Sequence, residues 1–259
     1  MTPTVSSFRF RRRLPQIAIF LLFFLTLLVT LPYSARAQHS PDDHAGMSMP
    51  MDAPMDPAMQ AKLLSDKHES EFNHHLAGFF VVLAGLFILV ESWLSARVPT
   101  IRYVWPVCFL LSGIFVLIFS DTELWPFGPK PWLQGVVTNP EVIQHKTFAA
   151  LLLALGLIEL ARARHVLTAL WAAWVFPVTA IAGSILLLFH SHDAGMHGPN
   201  HLVTMARIQT QHLSYSLTGL GIGVTKGLAE VRTRWQPRFT ELCAALMVLL
   251  GLLLMIYVE

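Results

Sequence analysis

The sequence predicts an all-α protein: a polytopic membrane helix bundle with six transmembrane helices that follow a cleavable signal peptide. Three observations lead to this fold class, namely an apolar composition, an N-terminal secretory signal and six apolar stretches of membrane-spanning length. Of the 259 residues, 54% are hydrophobic and only 13% are charged, whereas charged residues approach about a quarter of a soluble domain. The chain is therefore expected to reside in a lipid bilayer.

Residues 1–37 have the three parts of a secretory signal peptide. A basic stretch at 9–13 precedes an apolar stretch at 17–31, and Ala-Arg-Ala follows at 35–37. We predict cleavage after Ala37. An uncleaved first helix is the alternative, because the apolar stretch is long for a signal peptide. In both cases the chain that follows starts outside the cytoplasm.

Residues 38–71 are polar and rich in proline, and we predict a flexible, Met/His-rich periplasmic tail because they lack the apolar periodicity needed to bury a core. Within this tail His44 precedes Met47, Met49 and Met51. Methionine sulfur is a soft ligand that suits Cu(I). The tail is interpreted as a capture arm for copper, with a compositionally biased linker as the alternative.

Residues 72–259 are predicted to form a six-helix transmembrane domain with its C-terminus outside. Its apolar segments, each near the ~20 residues that cross a bilayer as a helix, lie at 73–95, 103–120, 143–161, 166–190, 202–228 and 240–258. Lipid cannot satisfy an open strand edge, so each is expected to be helical. The fifth segment is the least hydrophobic and should be enclosed by the others. Its glycines at 219, 221, 223 and 227 suit close helix packing.

The loop arginines predict the orientation. They fall in alternate loops, at Arg97, Arg102, Arg162, Arg164, Arg232, Arg234 and Arg238. By the positive-inside rule these loops are cytoplasmic, which agrees with the signal peptide. We therefore expect a multi-pass protein of the bacterial inner membrane. The proline-rich and tryptophan-bearing loop between the second and third segments is expected to form an ordered outer lid.

Eleven of the twelve histidines fall on the outer side of this topology, and only His165 falls on the inner side. No membrane rule excludes histidine from cytoplasmic loops, so this partition suggests a metal supplied from the periplasm. The candidate ligands of the helical domain are His74, His75, His145, His190, His192, His197, His201, Met205 and His212. Imidazole together with thioether favours copper, as Cu(I) or Cu(II), although zinc remains open at the histidines alone.

The fifth segment is expected to carry part of these ligands on one face. His201, Met205 and His212 are four and seven residues apart, which places them on the same side of a helix. His212 would then lie about 16 Å below His201, at 1.5 Å per residue, near the bilayer centre. Hydrogen-bonded structural histidines are the alternative at His145 and His212.

Other functions are kept open or excluded by the same residues. A b-type haem could be held between His145 and His212 in an electron-transfer protein, and a histidine-rich membrane metalloenzyme is a further alternative. The pattern favours binding over catalysis, so no catalytic residue is assigned.

Dispersed basic residues exclude nucleic acid as a partner. Cys108 and Cys243 lie in apolar runs and are expected to be packing residues.

Three motifs carry a resemblance to a known family: HAGMSMPMD in the tail, EFNHHLAG at the first helix, and LFHSHDAGMHGPNHLVTMARIQTQH before and within the fifth. The chain resembles bacterial membrane proteins of the copper resistance protein D family. The resemblance implies moving copper through the inner membrane or sensing it there, with ligands at His74, His75, His190, His192 and His201. We therefore expect capture, transport or delivery of copper at the periplasmic face, and a periplasmic copper carrier is a candidate partner. A six-helix chain is shorter than the larger members of that family.

Overall fold

The computed structural model describes residues 56–189, 201–231 and 234–258, which belong to one compact unit. The signal peptide and most of the predicted tail lie outside the described residues, as do His190, His192 and His197. At His201 the backbone is described but the side chain is not.

Every predicted apolar segment falls largely within a helix of the described part. The helices are α1 Pro57–Leu94, α2 Val104–Phe119, α3 Trp132–Thr138, α4 Pro140–Ala163, α5 Val175–Leu188, α6 His201–Val231 and α7 Gln236–Met255. Short 3-10 turns, Pro99–Tyr103 and Leu170–Trp174, lead into α2 and α5. The all-α prediction is confirmed for these residues.

Four of the helical stretches are long and apolar enough to cross a membrane: Gln60–Leu94, Pro99–Phe119, Leu170–Leu188 and Gln236–Met255. They correspond to α1, to α2 and α5 with their preceding turns, and to α7. By length and composition they make the chain a multi-pass membrane protein. The third and fifth predicted segments are helical as well, in α4 and α6, but do not belong to this apolar set.

Helix α1 begins well before the predicted start at residue 73. The Asp56 side chain accepts a hydrogen bond from the Ala58 amide at 3.0 Å, and Pro57 occupies the first helical position. Both features favour a helix N-terminus. Residues 57–71, which we expected to belong to the flexible tail, are therefore helical. The prediction required apolar periodicity, whereas a cap and a run of good helix formers suffice here.

The six long helices pack as a closed ring in the order α1, α7, α6, α5, α4, α2 and back to α1. Their buried side chains form one core: Ala84, Cys108, Phe109, Leu155, Phe176, Ile222, Cys243 and Met247. Both cysteines are free and buried in this core, as predicted for packing residues. The ring brings together the ends of helices that are distant in sequence. The candidate site lies at one of these ends.

Glycines allow two of the ring contacts to be very close. A Cβ at Gly78 would lie 2.6 Å from the carbonyl oxygen of Gly251, so α1 and α7 meet backbone to backbone. On α6 a Cβ at Gly223 would lie 2.9 Å from the Pro177 carbonyl oxygen of α5. The predicted close packing is confirmed at Gly223, whereas a Cβ at Gly227 would make only ordinary contacts, at 3.6 Å.

Candidate metal centre

Side-chain to backbone hydrogen bonds tie neighbouring helices together at one end of the ring, which we call the histidine end. It is defined by three bonds: Asn73 Nδ2 to Phe119 O at 3.3 Å, Gln144 Nε2 to Phe189 O at 3.2 Å, and His75 Nε2 with Tyr257 O at 3.0 Å. His74, His75, His145 and His212 lie at this end. His165 follows the opposite end of α4. The described histidines that we predicted to be outside and inside are thus at opposite ends of the bundle.

One histidine group lies where α1, α6 and the C-terminal segment meet. The His74 ring stacks on the Tyr257 ring with a centroid separation of 3.9 Å. The buried His212 ring lies 6.1 Å from His74 and 6.2 Å from Tyr257, and 5.8 Å from the Tyr215 ring. Two predicted ligands from distant helices are therefore close neighbours in an aromatic surround.

The segment after α7 is held against this group. Gln211 on α6 pairs with the Val258 backbone in both directions, since its Nε2 donates to the carbonyl at 2.8 Å and its Oε1 accepts from the amide at 3.2 Å. The Tyr215 hydroxyl donates to Leu253 O at 3.1 Å. With the His75 bond to Tyr257, these contacts position Tyr257 beside His74 and His212.

A second group links the end of α2 to the start of α4. The buried Asp121 carboxylate accepts from His145 Nδ1 at 2.9 Å through Oδ1, and from the Ser120 hydroxyl at 2.6 Å through Oδ2. Lys146 Nζ lies 2.8 Å from the same Oδ2 and 5.1 Å from the Trp132 ring centroid. Burial alone would raise the pKa of Asp121, but the bonds and charges of His145 and Lys146 outweigh it and hold the pKa below its usual value. This carboxylate is ionised at neutral pH.

In three of the described histidines one ring nitrogen donates to an oxygen that can only accept. The acceptors are the Ser70 carbonyl for His74 Nδ1 at 2.8 Å, the Tyr257 carbonyl for His75 Nε2, and the Asp121 carboxylate for His145 Nδ1. In the neutral ring the opposite nitrogen then carries the lone pair. Metal-ligating histidines nearly always make such a bond with their other nitrogen.

The other predicted ligands are placed as follows. His201 begins α6, and Met205 is half-buried on the same helix, about two turns before His212. The structure places His145 against Asp121 and His212 against His74, on different helix pairs. Within the described ranges, which omit 190–200 and the tail, no cluster of three or more His, Cys, Asp or Glu side chains has the arrangement of a metal site.

The structure places His212 nearer the histidine end of the ring than the prediction implied. Its ring lies beside Tyr257, beyond the last residue of α7, Met255, and not halfway along the helices. The prediction counted inward from the start of α6, but this helix has 31 residues and extends past its neighbours. The imidazoles of His74 and His212 therefore lie at similar depth.

Sequence reasoning missed two features. Tyr257 lies near the end of the sixth apolar segment, and nothing in the local sequence signals its contact with His74. The second is an ion-pair network at the end opposite the histidines. In this network Arg162 lies 2.7 Å from Glu159 and 3.4 Å from Glu230, and Lys226 lies 2.6 Å from Glu230. Opposite charges three and four residues apart, at 159 and 162 and at 226 and 230, were the available signal.

Comparisons with known proteins identify no relative. No family model matches the chain, and no curated protein or solved structure matches it. The resemblance to copper resistance protein D remains a prediction that rests on short motifs.

Proposed function

We propose that this chain is an inner-membrane copper-binding protein that captures copper at its periplasmic face for resistance or homeostasis. The histidine end of the ring is the binding face. The candidate ligands of the helical domain are His74, His75, His145, His201, Met205 and His212. The sequence just before α6 adds His190, His192 and His197, and the predicted tail adds His44, Met47, Met49 and Met51.

The observation that carries the proposal is the orientation of the described histidines. In three imidazoles at one end of the ring, one nitrogen donates a hydrogen bond to an oxygen acceptor, so the lone pair of the other nitrogen has a defined direction. His74 and His75 on α1 and His145 on α4 lie at the same end of the ring, which supports a common binding face.

Copper is favoured over other metals by the accompanying methionines. Met205 precedes His212 on α6, and three more methionines follow His44 in the tail. Thioether sulfur with imidazole suits Cu(I), whereas calcium and magnesium require oxygen ligands. The tail and the histidine end both carry imidazole and thioether groups, so copper would pass from one to the other between ligands of the same types.

The proposed topology has six crossings with the histidine end outside. Helices α4 and α6 complete the ring between four helices that are apolar enough to span by themselves. Their charged side chains pair with one another at the opposite end, through Arg162 and Glu230. Ionisable groups inside a membrane bundle are expected to pair in this way.

Binding is supported better than translocation. Below the histidine end the ring is filled by an apolar core in which Phe176 lies 5.7 Å from Phe109 and 6.1 Å from Trp105. A conduction path needs successive exchange sites. We therefore propose capture and delivery at the outer face, with a periplasmic copper carrier as the partner, and no catalytic role.

Metal analysis of the purified full-length protein tests the function. After incubation with Cu(I) under reductant and dialysis, the wild type should retain copper, and a variant carrying His74→Ala with His212→Gln should retain less. His68→Ala is the matched control, because His68 is exposed on the same helix α1 and outside the group. Equal copper in all three proteins would exclude this group from binding. A haem absorption spectrum in the wild type would instead support the cytochrome alternative.

A further inference from the structure

We infer that Asp121 is a positioning residue for a copper ligand, His145, and that it selects Nε2 as the ligating atom. This inference rests on the proposed function and adds to it a residue that does not itself touch the metal. Asp121 follows α2 and His145 lies in the first turns of α4, so the pair forms only because the ring brings these helices together.

The geometry of the pair fits this role. A carboxylate accepts and cannot donate, so the 2.9 Å contact requires a proton on His145 Nδ1 and leaves the lone pair on Nε2. Carboxylate, imidazole and metal commonly form such a series, in which the carboxylate orients the ring and raises its basicity as a ligand.

The surroundings hold the carboxylate in place. Ser120 donates to Oδ2 at 2.6 Å and Lys146 Nζ lies 2.8 Å from the same atom, so Oδ1 is left to His145. Lys146 also donates to the Leu117 carbonyl at 2.8 Å, which ties it to the end of α2. The buried Asp121 side chain is therefore held on several sides, and its negative charge is balanced by Lys146.

The neighbouring glutamate offers a matched comparison. Glu123 is two residues along the same loop, is partly exposed, and pairs with Lys130 at 2.5 Å without contact to a predicted ligand. Asp121→Asn keeps an oxygen acceptor but removes the charge, and Glu123→Gln makes the same chemical change outside the group. A general loss of negative charge from the loop would affect both variants.

The experiment is a residue-resolved copper titration. Full-length protein is titrated with Cu(II) sulfate, treated briefly with diethyl pyrocarbonate, and analysed by mass spectrometry for carbethoxylation of each histidine. Copper should protect His145, and the midpoint of that protection should rise about 10–100-fold in Asp121→Asn. Glu123→Gln should match the wild type. The midpoint at His74, measured in the same samples, should not move.

Three results would overturn the inference. Wild-type protein that binds copper without protecting His145 would remove His145 as a ligand while the proposed function stands. An equal shift at His145 and His74 in Asp121→Asn would show a general structural role. Wild-type protein that binds no copper would remove the proposed function, and the inference with it.

Discussion

At the scale of single residues, the proposed site depends on which nitrogen of each imidazole would face a metal. Sequence placed His74, His75 and His145 at one end of the bundle, but it could not specify their hydrogen bonds, because the acceptors come from elsewhere in the fold. Ser70 is one turn away, whereas Asp121 follows α2 and Tyr257 follows α7. Tertiary contacts of this kind leave no periodic signal in the chain.

The Gly78 and Gly251 contact gives a test of the ring at the residue scale. Gly78→Ala would place a methyl group 2.6 Å from a backbone oxygen that cannot move independently, and overpacking of this kind costs about 1–3 kcal/mol. We expect a lower midpoint of thermal unfolding in detergent.

Gly183→Ala is the control for that substitution. Its nearest neighbour would be a Phe148 ring carbon at 3.4 Å, an ordinary contact, and alanine gains up to about 1 kcal/mol of helix propensity over glycine. Its midpoint should equal or exceed that of the wild type. If both substitutions gave the same midpoint, α1 and α7 would not meet as described.

At the scale of elements, the helices were predictable and one of their boundaries was not. Apolar runs of about 20 residues identified all six long helices. Hydropathy does not detect the helix at residues 57–71 of α1, since most of the side chains described there are exposed and the helix begins at a cap. Hydropathy also gave no depth for His212, because it does not report that α6 extends past α7.

The early start of α1 can be tested at its cap. Asp56→Ala removes the side-chain acceptor of the Ala58 amide, a change that costs about 1 kcal/mol locally. Backbone amides of residues 60–64 should exchange faster with deuterium. Asp66→Ala, at an exposed position further along α1, should leave the same amides unchanged. Equally fast exchange in the wild type would contradict a helix that begins at Pro57.

At the scale of the whole molecule, the proposed six-crossing topology requires α4 to cross the membrane, although α4 is not among the four most apolar stretches. Val137 precedes this helix and Val166 follows it, and both side chains are exposed, at 64% and 77%. If α4 crosses, the two positions lie on opposite sides. The positive-inside rule, applied to the loop arginines, predicts that Val166 lies on the cytoplasmic side.

Labelling of single introduced cysteines decides this point. With a membrane-impermeant maleimide, Val137→Cys should react in intact spheroplasts and Val166→Cys only after permeabilisation. The native Cys108 and Cys243 are buried and should stay unlabelled. Labelling of both introduced cysteines in intact spheroplasts would mean that α4 does not cross.

The central claim is that histidines at the outer end bind copper, and metal content tests it most directly. Copper per chain should be measured in the purified full-length wild type and in a variant with alanine at His190, His192, His197 and His201, with His165→Asn as the control from the opposite end. We predict that the wild type and the control retain copper and that the fourfold variant retains clearly less. Undiminished copper in the fourfold variant, or none in the wild type, would contradict the account.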